Sequence, residues 1–300
     1  VIPGALVGIG QNSFTQKDLQ FTFTMAGQNF TGQTGNSVTI SGLRAMVTYT
    51  AEGNALSSVT CQIYGISLDI MNQLTTLQGD ITTQFQNTLT ISTIDGDVSS
   101  LLFSGTIYSS WASFENMPDV YMHVQAGAYF VNQVTPVTAR SYAQPTTVDT
   151  IFRDFANALG RPFANNGVNV TIPGGLYLKG TVIEQANRLA KQAGCYWSIE
   201  SGALTIWPRN GSLPGDARVI NSQTGMIGYP AFDNVSVTVQ MLYKPYTYWG
   251  SLVRIESSLP RANGEMTIIG LSHHLSSNMP DGPWFSIARC SKVVSALGQI

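Results

Sequence analysis

Apolar and polar residues alternate at period two over most of this chain. Leu19, Phe21, Phe23 and Met25 are separated by Gln20, Thr22 and Thr24, the pattern of a strand with one buried face. A second strand region spans residues 38–49 and is broken at Gly42. Val59-Thr60-Cys61-Gln62-Ile63-Tyr64 alternates again. Further strands are predicted at 88–93, 100–108 and 120–126, with Asp95-Gly96 marking a hairpin between the first two. A short helix is predicted over 68–77, because Met71, Leu74 and Leu77 fall on one stripe. Near the other end, Val235, Val237 and Val239 alternate with Ser236, Thr238 and Gln240. Leu252, Val253 and Ile255 supply another strand after a loop marked by proline and glycine. Strands at 265–271 and 284–290 follow, with turns at Asn263-Gly264 and Asp281-Gly282.

Between these β regions the period changes. Thr147 is placed to cap a helix over 148–159, whose Val148, Ile151, Phe152, Phe155 and Leu159 recur at helical spacing before Gly160. Thr181-Val182-Ile183-Glu184 has the form of a capping box and opens a second helix that ends at Gly194. A hairpin follows, residues 195–200 and 203–207 turning at Ser201-Gly202. Pro136 and Pro145 flank a linker before this module, and residues 208–214 form one after it. The layout is therefore mainly β, α+β overall. It comprises a β domain over 1–133, a small helix-helix-hairpin module over 134–215 and a second β domain over 216–300. Both β domains are expected to be antiparallel barrels or sandwiches. Residues 293–300 are expected to be a frayed end or a docking tail.

The stretch 220–257 carries Thr224-Gly225-Met226-Ile227-Gly228-Tyr229-Pro230 ahead of its strands. In this order it resembles the last β domain of the baseplate hub proteins of contractile-tailed bacteriophages, the Mu-type, late-control-D-like hub family. Phe103-Ser104-Gly105-Thr106-Ile107 resembles a strand of that family's first domain. Ile63-Tyr64-Gly65-Ile66-Ser67 ahead of a short helix resembles its neighbouring element. The run of Leu189, Ala190, Ala193, Gly194, Trp197, Ile199, Gly202, Leu204 and Ile206 resembles the family's middle module. Together these segments span roughly residues 40–290. The resemblance implies two tail-tube-like β domains per chain. It also implies a homotrimer that places six of them in a pseudo-sixfold ring, continues the tail tube and seats a central spike. The partners it implies are a second and third copy, the spike, the tail tube or a distal tube-initiator protein, neighbouring baseplate proteins and the tape measure protein. DNA would pass through the channel without specific binding. The runner-up is a receptor- or glycan-binding β-rich tail protein.

Composition sharpens this picture. Only 11% of the 300 residues are charged, against roughly 25% in ordinary soluble domains. Small polar residues fill the gap, which suits an assembly component better than a freely diffusing monomer. Residues 1–133 hold two bases and eight acids, a net of −6, while 134–300 carry a net of +4. No basic cluster forms a nucleic-acid footprint, and an acidic face on residues 1–133 suits a channel wall that DNA must pass. Arg44 and Arg254 are candidates for pairing across subunits. Cys61, Cys195 and Cys290 are widely spaced and odd in number, which argues for a reducing folding compartment rather than a disulfide framework. No run reaches a membrane span and the N-terminus lacks a basic leader region, so neither membrane insertion nor a signal peptide is expected.

Candidate chemistry is thin. Adjacent His273 and His274 point to opposite faces of a strand and do not share a metal easily; they are expected at a surface or interface. Asp95-Gly96-Asp97 lacks the spacing and closing Glu of a calcium loop. Glu184 is accounted for by its capping box. Asp149 and Asp154, five apart on one helix, do not face each other as a glycosidase pair would. Trp111, Trp197, Trp207, Trp249 and Trp284 suit packing better than a sugar platform, and Trp197 and Trp207 are candidates to pair across their hairpin. No catalytic, cofactor-binding or metal residue is assigned, and no enzyme activity or cofactor is expected.

Overall fold

The computed structural model describes residues 15–32, 34–53, 56–75, 87–115, 117–199 and 202–292. The end of the first helix at Leu77 and the expected tail over 293–300 lie outside the described residues. The first group of elements is β1 (Lys17–Thr24), β2 (Ser37–Ile40), β3 (Ala45–Glu52), β4 (Ser58–Tyr64), α1 (Leu68–Leu74), β5 (Thr88–Asp95), β6 (Val98–Ser113) and β7 (Tyr121–Gly127). The second is α2 (Phe130–Val134), β8 (Arg140–Tyr142), β9 (Thr146–Thr147), α3 (Val148–Ala158), β10 (Phe163–Asn165), β11 (Thr171–Ile172), β12 (Leu176–Leu178), α4 (Val182–Ala193), β13 (Cys195–Ser198) and β14 (Leu204–Pro208). The third is β15 (Arg218–Ile220), β16 (Met226–Phe232), β17 (Val237–Leu242), β18 (Leu252–Ile255), β19 (Gly264–Ser277) and β20 (Trp284–Lys292).

The molecule is mainly β, as the alternation predicts, and among the described residues its strand pairs are antiparallel except β10–β14 and β15–β18. The alternating side chains of β1 behave as read: Leu19, Phe21 and Phe23 are fully buried, each contributing about 1.5–3 kcal/mol of apolar burial. The β5–β6 hairpin turns through Gly96, whose φ of 60° suits the first central position of a two-residue turn.

The two β regions do not form separate barrels. They share one thirteen-stranded sheet, ordered β16-β17-β20-β19-β3-β4-β7-β6-β5-β1-β2, with β18 and β15 alongside β19. Among the described residues this sheet does not close on itself. The cause is the length of β19. Its first residues pair with the short β18, and the same edge then runs on beyond β18 and is taken up by β3, from Gly270 opposite Glu52 to Ser277 opposite Ala45.

Within the sheet a five-strand unit occurs twice, as β3-β4-β7-β6-β5 and as β16-β17-β20-β19-β18. The two agree in register. β6 meets β7 through a one-residue bulge at Tyr108, and β19 meets β20 through one at Ile269. Ala126 lies opposite both Ile107 and Val59, and Cys290 lies opposite both Ile268 and Val237. At those matched places β4 reads Ser58-Val59-Thr60-x-Gln62, and Ser236 with the start of β17 reads Ser236-Val237-Thr238-x-Gln240.

The helical module has its own core. α3 buries Val148, Ile151, Phe152 and Phe155 against Leu189 and Ala190 of α4 and Trp197 of β13. Thr147 accepts a hydrogen bond from the Thr150 amide at 3.3 Å. The capping box on α4 is complete: Glu184 N–H donates to Thr181 Oγ1 at 3.1 Å and Thr181 N–H to Glu184 Oε2 at 2.9 Å. Trp197 and Trp207 do not pair. Tyr196 lies opposite Trp207 and Trp197 opposite Ile206, so the two indoles leave opposite faces of the hairpin. Trp197 enters the helical core, while Trp207 joins the core of the large sheet, 4.9 Å from the Trp249 ring.

Candidate assembly surface

Strand edges determine what this sheet can join. At the internal junction of β19 with β3 the residues on the core side are covered. His273 stacks on Tyr49 with ring centroids 5.0 Å apart, Leu275 lies opposite Val47, and all four are buried. Arg289 spans the junction from β20 to Glu52 of β3 at 2.7 Å.

The outer ends are different. Among the described residues β16 pairs with β17 alone, and a bulge separates Ile227 from Ala231 in that pairing. Ile227, Tyr229, Phe232 and Val235 are all exposed on or beside it. Pro230 lacks an N–H to offer the ladder, as an edge strand tolerates. The second half of β6 pairs with β7 on one side. Among the described residues, no strand pairs with its β5-side edge over residues 111–113. Trp111 and Phe114 are exposed there, the Trp111 ring lying 4.1 Å from His123. By contrast β2, at the far end of the sheet, is four residues long, and its threonine and serine hydroxyls engage Thr22 and Thr24 of β1 at 3.0 and 3.2 Å. That is a blunted edge; on β16 Pro230 and the bulge interrupt the edge, while Ala231 and Phe232 beyond them stay exposed.

The family model for the baseplate hub gp41 matches residues 19–290. The chain belongs to the baseplate hub gp41 family. Its fold is similar to solved tail proteins. One is the tail protein of Neisseria meningitidis MC58, with a TM-score of 0.61 at 9% identity over 91% of this chain and 96% of that one. Another is the 43 kDa tail protein of prophage MuSo2 from Shewanella oneidensis, with 0.57 at 11% identity over 91% and 97%. A third is an Escherichia coli component of the type VI secretion system with structural similarity to the T4 tail proteins gp27 and gp5, with 0.59 at 8% identity over 91% and 77%. No curated protein matches the sequence.

In this hub chain the residues considered for chemistry find partners within the fold. His273 is not at a surface. It lies mid-strand in the core, its Nδ1 2.7 Å from Ser286 Oγ, with Tyr243 edge-on at 5.0 Å, and burial pushes its pKa down to about 3. His274, on the other face, approaches Ser272 Oγ at 3.3 Å. Among the described residues no three metal-ligating side chains gather. Asp149 accepts from Asn165 at 3.0 Å and from Arg153 at 3.0 Å, which hold its pKa below the ordinary carboxylate value. Asp154 accepts from the Tyr142 hydroxyl at 2.8 Å. Asp95 pairs with Lys17. Arg44 and Arg254 find carboxylates within the chain, Asp119 at 3.7 Å and Glu265 at 3.3 Å. All three cysteines are buried and free; burial raises Cys61, Cys195 to about 11 and Cys290 to about 12. Among the described residues no helix is long and apolar enough to cross a membrane.

Two signals escaped the sequence reading. The first is the Ser-Val-Thr-x-Gln match, which was present in the residues. The second is the exposed apolar edge of β16, which alternation alone does not distinguish from a covered strand.

Proposed function

We propose that three copies of this chain form the central baseplate hub of a contractile tail, adapting a sixfold tail tube to a threefold central spike. The observation that carries this reading is the five-strand unit that occurs twice per chain. Three chains supply six such units, which is the arithmetic a sixfold-to-threefold adaptor needs. The divisions 1–133, 134–215 and 216–300 are the units of that assembly: tube-like, connecting and tube-like. Its partners are the other two copies, the spike, the tail tube or its distal initiator, neighbouring baseplate proteins and the tape measure protein. The role is structural rather than enzymatic. The chain is assembled in the host cytoplasm and ends in the virion.

In this reading the acidic residues of 1–133, with their net −6, line part of the channel. Like charge repels the DNA backbone and keeps passage free of binding. The test is native mass by light scattering on the 32.3 kDa chain, alone and co-expressed with the spike of the same virus, with negative-stain images of the peak. A trimer with a central hole supports the hub. A chain that stays monomeric in both settings overturns it.

A further inference from the structure

We infer that copies of this chain join edge to edge by repeating their own internal junction, β16 of one copy pairing with the second half of β6 of the next. The inference rests on the trimeric hub reading and deepens it by naming the strands and the register.

The argument runs through the repeat. The matched bulges place Ile107 at Ile268 and Tyr108 at Ile269. Counting on, Ala112 matches His273, Ser113 matches His274 and Phe114 matches Leu275. On the other unit, Val59 and Thr60 match Val237 and Thr238. Their partners match in turn, so Tyr49 corresponds to Phe232 and Thr48 to Ala231. Inside the chain His273 faces Tyr49 and His274 faces Thr48. The corresponding pairs between copies are Ala112 with Phe232 and Ser113 with Ala231.

Burial points the same way. Tyr49 is 4% exposed at the internal junction, while its counterpart Phe232 is 51% exposed; Leu275 is 0% exposed, while its counterpart Phe114 is 50% exposed. Tyr49 and Leu275, covered where the two units meet within the chain, thus have open counterparts in Phe232 and Phe114. The sizes fit as well. A small residue, Ala112, stands where the ring of His273 stands, leaving room for the phenyl ring of Phe232. The register is defined only up to Ala231, because β16 holds three residues between Ile227 and Ala231 where β3 holds one between Met46 and Thr48. Each copy offers the part of β6 that runs past β5 in its first β region and the edge of β16 in its last, a head-to-tail contact that gives a ring when the rotation closes.

The test is a cysteine pair at the predicted register, Ala112→Cys with Phe232→Cys. Directly opposed antiparallel residues have Cα atoms about 4.5–5.5 Å apart, within disulfide range, and the three native cysteines are buried. The control is Ala112→Cys with Ala231→Cys, shifted by one residue so that the side chains leave opposite faces. Oxidation is expected to yield covalent dimer and trimer from the first variant, and monomer from the control and from each single variant. Phe232→Lys, at an exposed position, is expected to reduce trimer at least tenfold at equal concentration while leaving the circular dichroism spectrum and melting temperature unchanged. If the unmodified chain forms trimers but the first variant does not cross-link, the edge inference falls and the hub reading stands. Cross-linking as strong in the shifted control also overturns the register. An unmodified chain that is monomeric, with no cross-link, overturns the inference, and the hub reading is then judged by co-assembly with the spike.

Discussion

His273 shows what one buried polar residue does to the pH response of this chain. Its imidazole lies between Tyr49 and Tyr243 and is held by Ser286. Burial lowers its pKa from 6.5 to about 3, so it stays neutral in the folded chain where an unfolded chain would take up a proton. The stabilisation is complete above pH 6.5 and is lost progressively as pH falls from there towards 3, at up to about 1.4 kcal/mol per unit. Replacing His273 by Phe is expected to flatten this part of the curve. Urea denaturation of both proteins at pH 7, 5.5 and 4.5 checks it; parallel curves would refute it. Gly250 is a second residue with a defined demand. Its φ is 87°, and a Cβ there would overlap the Trp207 ring. Gly250→Ala combines overpacking with a left-handed backbone penalty, about 2–5 kcal/mol in all. A melting temperature unchanged from the parent would show that the Trp207–Trp249 contact is looser than described.

At the scale of elements, local rules were sufficient wherever the determinants are local. Both long helices begin at the threonine that caps them and stop beside the expected glycine, because caps and helical spacing are set within a few residues. Thr181→Ala removes the centre of the capping box and is expected to cost about 1 kcal/mol, read from a denaturant midpoint shift with unchanged slope; Thr181→Ser should recover most of it. The strands of β1, β4 and β17 were equally readable, since each buries one alternating face. Edges were not readable. Alternation says which face is buried but not which strand lies alongside, so the β19–β3 pairing and the open edge of β16 carry no local mark. The strands β9 and β11, of two residues each, are too short to show any period. His273 was misplaced for a related reason. Its polarity argued for a surface, and only tertiary packing supplies Ser286 as a partner. A two-residue turn at 201–202 already sets Trp197 opposite Ile206, the register observed, so Trp207, one residue on, leaves the other face of the hairpin.

For the whole molecule, the continuous sheet makes a prediction that two separate β domains would not. The first and last β regions meet along eight paired residues of β19 and β3, share one apolar core, and are clamped by Arg289 and Glu52. Leu275 sits fully buried in the middle of this seam, opposite Val47 on one side and Trp284 on the other. Leu275→Ala leaves a cavity there and is expected to cost about 2–5 kcal/mol. If the seam is structural glue between the regions, that loss is shared. Hydrogen exchange should then show amide protection falling by similar factors in β4, which belongs to the first region, and in β20, which belongs to the last. The helical core around Phe152 and Trp197 is a separate cluster, so α3 and α4 should keep more of their protection than either sheet region. If β20 loses protection while β4 keeps it, the two β regions are independent folding units that touch along an edge. The internal junction would then be an interface already present within one chain, energetically of the same kind as a contact between copies.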